Sequence, residues 1–212
     1  MPKKDMEQRA YTFEVRANEN NMISGTPIVY DSPTDIGGWF REIISKGALD
    51  GADLRDVPFL VNHNDRMIPV ARSRRNNPNS TMRLLVTDKG LDIEADLDVE
   101  NNDTSRALYS AVSRGDISGM SFMFRVKDER WEDLDSEYPT RYIDKFEAIG
   151  EVSAVTFPAY DATSINARSK EALDNARSAV ETARQQSEQS VETDLELERA
   201  KFNFISKLQG GN

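Results

Sequence analysis

Nine consecutive residues, Leu91-Asp92-Ile93-Glu94-Ala95-Asp96-Leu97-Asp98-Val99, alternate apolar and acidic side chains without a fault. Successive side chains of a strand point to opposite faces, so this stretch is amphipathic only as a β-strand with one wet face. The run 81–87 leads into it through Asp88-Lys89-Gly90 and reads as the other arm of a hairpin. Further strands are expected at 11–15 and 23–30 around a Ser-Gly turn, with Pro27 marking an edge or a bulge. The apolar run 57–61 reads as a buried strand that stops at Asn62-His63-Asn64-Asp65, and 75–80 as a turn. Residues 117–126 alternate again, 128–140 read as an exposed connection, and 150–160 form a last strand ended by Pro158.

Two stretches break this β pattern. Residues 104–114 have helical spacing, with Asp103 or Thr104 as the cap and Gly115 as the stop. Residues 169–208 lack Gly and Pro and carry a thin apolar stripe (Leu173, Ala176, Val180, Ala183) that is too sparse to fold confidently alone. The chain thus divides into a β-rich domain, 1–168, and an acidic helical tail, 169–212, read as a docking or removable segment.

The bulk chemistry excludes several classes. A formal net charge of −10 argues against nucleic acid as the main partner, because phosphate binding needs surplus Lys and Arg, and it fits poorly with anionic membranes. No apolar run approaches the roughly 20 residues that span a bilayer, and the N-terminal MPKKDMEQR has no apolar stretch of a secretory signal. Without cysteine there is no thiol catalysis, disulfide or thiolate metal site. With one histidine, His63, a three-histidine zinc site is impossible, and no cofactor is expected.

Three positions could carry chemistry. His63 closes a buried strand, where a histidine is usually structural, yet imidazole can accept a proton near neutrality. Ser121, beside Gly119, is not in a GxSxG elbow, since residue 123 is Met. Its hydroxyl would need an adjacent base to attack a carbonyl. Glu151 opens an apolar strand, and burying a carboxylate there is costly unless it has a partner. It either reaches solvent or meets a group such as His63.

In order along the chain, these residues resemble a known family. An apolar strand ends in Asn62-His63, Gly90-Leu91 lies in a hairpin, and a helix stops at Gly115. Ile117-Ser118-Gly119-Met120-Ser121-Phe122 and a Glu151-Val152-Ser153 block running to Pro158-Ala159-Tyr160 then follow. The pattern, from about Tyr11 to Arg168, resembles the tailed-bacteriophage prohead maturation serine proteases. The resemblance implies a fold related to the herpesvirus capsid-maturation proteases, mainly β with helices (α+β): a closed antiparallel β-barrel flanked by helices, with the tail as a C-terminal extension. It implies Ser121 as nucleophile, His63 as general base and Glu151 as orienting third member. The herpesvirus enzymes use a second histidine there, which this chain lacks, so Asp65, Asp116 and Asp161 stand as alternatives to Glu151. Arg72 and Arg125 are provisional oxyanion donors.

Also implied are substrates in the scaffold or capsid-protein arms and in the protease itself. The partners would be the major capsid protein with its scaffold region and further copies of the chain, with no nucleic acid and no membrane. The location would be the host cytoplasm, inside the assembling prohead. The competing reading is a catalytically inactive capsid-assembly or scaffolding protein of the same fold. A third, a generic binding module with a coiled-coil dimeriser, leaves the two sequence blocks unexplained.

Overall fold

The computed structural model describes residues 6–11, 15–18, 20–156 and 167–209. In chain order it contains β1 (Glu7–Tyr11), β2 (Val15–Asn18), β3 (Met22–Val29), β4 (Thr34–Ile36) and β5 (Phe40–Ile44). Then come β6 (Asp56–Val61), β7 (Ala71–Arg74), β8 (Met82–Val86) and β9 (Gly90–Asp96). Helix α1 (Asp103–Ser113) precedes two long strands, β10 (Gly119–Glu132) and β11 (Thr140–Val155), and α2 (Ala167–Gln209) follows.

The alternating stretch forms β9 as its period requires. Leu91, Ile93 and Ala95 are buried, and β9 sits between β3 and β8 in a four-stranded antiparallel sheet ordered β2-β3-β9-β8. Gly90 enters this strand at φ +149, where an added Cβ would lie 1.9 Å from the Ile28 carbonyl oxygen, so only glycine fits. The register shift between Gly25 and Ile28 is the bulge that Pro27 announces.

The second sheet has seven strands. Its main path is β1-β10-β11-β5-β4, with β6 paired to β11 and β7 paired to β6. The first part of β11 (Thr140 to Ile143) pairs in parallel with β5, and its end (Val152 to Ala154) pairs in parallel with β6. The two sheets face each other across one core, where Ile23, Ile28, Leu91 and Ile93 meet Phe59, Phe122, Phe124 and Phe146. The last three rings pack with centroids 5.0 to 6.2 Å apart.

The expected closed antiparallel barrel is not what forms. Both sheets are open, and the larger one is mixed rather than antiparallel. One place where the two sheets meet without a ladder is between β7 and β8. There, side chains take the backbone groups that a ladder would use. Arg72 N donates to Thr81 Oγ1 and Arg74 N to Ser80 Oγ, both at 2.9 Å. Asn76 bonds both Leu84 backbone groups, accepting from N at 2.9 Å and donating to O at 2.8 Å. With those donors and acceptors satisfied, continuous pairing across the seam has nothing left to gain.

Other local expectations also shift. The segment 128–140 is no loose connection: β10 and β11 run on as a hairpin, with Glu129 paired to Ile143 and Glu132 to Thr140. Their length follows from partners on β11, which the local composition does not reveal. The cap of α1 is Asn102, whose side chain accepts from Thr104 N and Ser105 N, one residue ahead of the expected Asp103 or Thr104. Gly115, at φ +78, follows the helix as read. The expected strand 11–15 falls mostly on residues 12–14, and the stop at Pro158 lies beyond residue 156, both outside the described residues.

Helix α2 lies against the hairpin end of the larger sheet. Val180 is buried with Ile36 and Phe40, and Trp131 packs on them. Arg177 stacks over Trp39, 5.5 Å from the ring centroid. Arg184 donates to the Leu134 and Ser136 carbonyls at 2.9 and 2.8 Å.

Candidate active site

Strand β6 delivers His63 by stopping abruptly. Asn62 and His63 both have left-handed backbones, φ +52 and +57. For side chains other than glycine this costs roughly 1–2 kcal/mol per residue, strain that tends to persist where the surroundings fix a functional geometry. Asn62 tolerates the turn because its amide bonds Thr156 on the neighbouring segment, accepting from N at 3.0 Å and donating to Oγ1 at 3.1 Å. The chain thereby folds back and lays the imidazole over the end of β11.

There the ring meets Glu151. Nδ1 lies 2.5 Å from Glu151 Oε1, although the two residues are 88 positions apart. The carboxylate is nearly enclosed, and its other oxygen accepts from Ser153 Oγ at 2.6 Å. Ser153 Oγ also accepts from the His63 backbone N at 3.2 Å, tying the left-handed turn to the carboxylate. Because a carboxylate only accepts, Nδ1 carries a proton, and in the neutral ring Nε2 is the nitrogen with the lone pair. Nε2 is buried and has no hydrogen-bond partner among the described residues.

Ser121 stands directly across from Ser153 in the β10–β11 ladder. Opposed residues of an antiparallel pair share a face with Cα atoms roughly 4.5–5.5 Å apart, so Ser121, Ser153 and Glu151 project on one side of the sheet beside His63. The Ser121 hydroxyl is fully buried, and it does not bond the imidazole: it donates to the Arg9 carbonyl oxygen on β1 at 2.6 Å.

The remaining described candidates lie elsewhere. Asp116 pairs with Arg114, Asp65 is exposed, and Asp161 is outside the described residues. Among the described candidates, Glu151 is the carboxylate that meets the ring. Arg72 forks onto Asp56 at 2.6 and 2.7 Å. Arg125 lies further along β10, 3.7 Å from Glu147. An open cleft of about 500 Å³ beyond Gly150 is lined by Arg55, Arg74, Arg75 and Arg125 but not by Ser121 or His63.

Sequence reasoning missed Ser153, although its i+2 spacing from Glu151 on a strand places both on one face. It also missed a buried charge cluster under β1. Arg9 Nε and Nη2 bond the two oxygens of Glu42 at 2.6 and 2.7 Å, and the Glu42 carboxylate has no solvent exposure. Arg141 bonds Glu7 at 2.6 and 2.8 Å, Glu42 at 3.0 Å and Glu129 as well. Burial pushes the Glu7 carboxyl up, but Arg141 and Arg9 prevail and hold it at about 2. For Arg141, burial opposes the charge, yet Glu7 and Glu42 raise its affinity for the proton above the ordinary value.

No curated protein and no solved structure matches the chain. The family described as caudovirus prohead serine protease matches residues 11–178, a span that takes in the His63–Glu151 pair and Ser121. That span is most of the chain, and the chain therefore belongs to the caudovirus prohead serine proteases.

Proposed function

We propose that Ser121 is the nucleophile of this protease, His63 its general base and Glu151 the carboxylate that orients the base. In the reaction Ser121 Oγ attacks a peptide carbonyl carbon while His63 Nε2 takes the hydroxyl proton. Glu151 stabilises the imidazolium, which then protonates the leaving amine. A water, deprotonated by the same nitrogen, adds to the acyl-enzyme and releases the new carboxyl end. The observation that carries this reading is the His63 ring itself. Its Nδ1 is held by Glu151, and its buried Nε2 bonds nothing among the described residues. A structural histidine normally has both nitrogens satisfied.

As a member of this family the chain is a serine protease of phage prohead maturation and associates with capsid proteins in the assembling procapsid. We assign as its substrates the scaffold or the scaffold-like arms of the major capsid protein, and the protease itself. The tail beyond residue 168 serves in this reading as the arm that brings the enzyme into the prohead. An inactive assembly protein is the second reading, and the bond from Ser121 to Arg9 rather than to His63 favours it. Incubating the purified protein with its capsid protein separates the two. Ser121→Ala should fold normally and leave the capsid arms uncut; equal processing by that variant would end the serine assignment.

A further inference from the structure

Strand β1 lies where a substrate would have to bind. It runs antiparallel along β10, with Ala10 opposite Ser121 and Arg9 opposite Phe122. The Ser121 hydroxyl has no exposure, and its proton points at the Arg9 carbonyl oxygen. A substrate peptide cannot reach that hydroxyl while β1 occupies the place. The contact is also unreactive, because the hydroxyl donates to oxygen instead of giving its proton to His63 Nε2 and attacking carbon. Extended peptides commonly bind by adding a strand to a sheet edge, and β10 becomes such an edge once β1 lifts away.

What holds β1 down is unusual for an edge strand. Edge strands generally turn their charges to solvent, whereas Arg9 sends its guanidinium inward to the enclosed carboxylate of Glu42. Glu7 reaches Arg141 from the same side of the strand. Such a cluster is weak evidence for stability, since desolvation offsets much of the attraction. It fixes register, and it places a cation binding site beside the residue whose carbonyl touches Ser121. Apart from Tyr11, β1 lies outside the segment that matches the family.

Resting on the catalytic reading above, we propose that β1 is an intramolecular stand-in for the substrate, which fills the cleft along β10 and keeps the enzyme latent. Substrates are extended polypeptide segments that replace β1 and carry an arginine or lysine ahead of the scissile bond, bound by Glu42 as Arg9 is. Displacement of β1 is then the activating event.

The test uses the full chain and two diphenyl phosphonates, one with an arginine and one with a leucine side chain, reading the Ser121 adduct by intact mass with Ser121→Ala as the blank. Glu7→Gln removes a carboxylate from the latch while keeping hydrogen-bonding capacity. It should speed labelling roughly tenfold, the response to a modest shift in the β1 equilibrium. The chain has no cysteine, so Gln8→Cys with Met123→Cys, which face each other across β1 and β10, can form a single disulfide. Its oxidised form should label more slowly than its reduced form, and the arginine reagent should outpace the leucine one throughout. Equal labelling of the oxidised and reduced forms overturns the stand-in role of β1. Equal rates for the two reagents overturn the basic subsite. If no protein forms an adduct, including folded Glu7→Gln, the serine-protease reading itself fails, and the β1 proposal with it.

Discussion

A histidine that accepts a proton from serine needs one ring nitrogen fixed and the other open, and His63 meets both conditions through residues far away in the chain. Glu151 supplies the fixing, and Ser153 in turn fixes Glu151. Glu151→Gln should keep the fold but lower kcat by about 10²-fold, within the range that positioned proton transfer contributes. Ser153→Ala tests the next layer. It leaves the His63 backbone N and one Glu151 oxygen without a partner, so it should cost about 1–3 kcal/mol of stability in urea melts. The rate should fall by roughly tenfold, less than for Glu151→Gln, since the ring contact itself remains. At this scale much of the candidate site was legible: the chain's one histidine and two characteristic sequence blocks pointed to His63, Ser121 and Glu151. Arg9, Glu42 and Arg141 were not, because a charged residue in a sequence reads as surface. Their burial depends on partners that fold against them, such as Arg141 with Glu7 at a separation of 134.

Among the elements, β1 adds a buried ionic cluster to its ladder with β10. The Glu7 carboxyl is held near 2 against an ordinary 4.5, a depression worth about 3 kcal/mol of order-of-magnitude linkage. A depressed carboxyl contributes stability that is complete above about 4.5 and lost as the pH falls through about 2. Arg9 and Arg141 face Glu7, while Glu42 and Glu129 face those arginines. Protonating Glu7 therefore leaves the cations less compensated and loosens β1. Hydrogen exchange across pH 5 to 2 should show amides of residues 7–11 opening before those of β9, whose hold is apolar; simultaneous loss would count against an ionic latch. β9 was readable from sequence because its period is local. β1 was not, since its Glu-Gln-Arg-Ala lacks apolar alternation and is a strand only because β10 pairs with it.

For the molecule as a whole, the described part of α2 is fastened to the larger sheet around the buried Val180. Val180→Asp would place a carboxylate among Ile36, Phe40 and Trp131, a burial that costs several kcal/mol unpaired. Protease accessibility in 177–201 should rise sharply while the sheets stay protected; an unchanged pattern would mean that the arginine contacts alone hold the helix. By itself the sequence determined the strand and helix periods, the turn at Gly90 and the end of α1. These follow from side-chain geometry within a few residues. Only the tertiary structure decided that the sheets stay open, that β11 pairs in parallel with β5 and β6, and that β1 covers Ser121. Those outcomes rest on which distant backbone groups find partners. At the β7–β8 seam Ser80, Thr81 and Asn76 side chains take the bonds that a closed barrel would have needed.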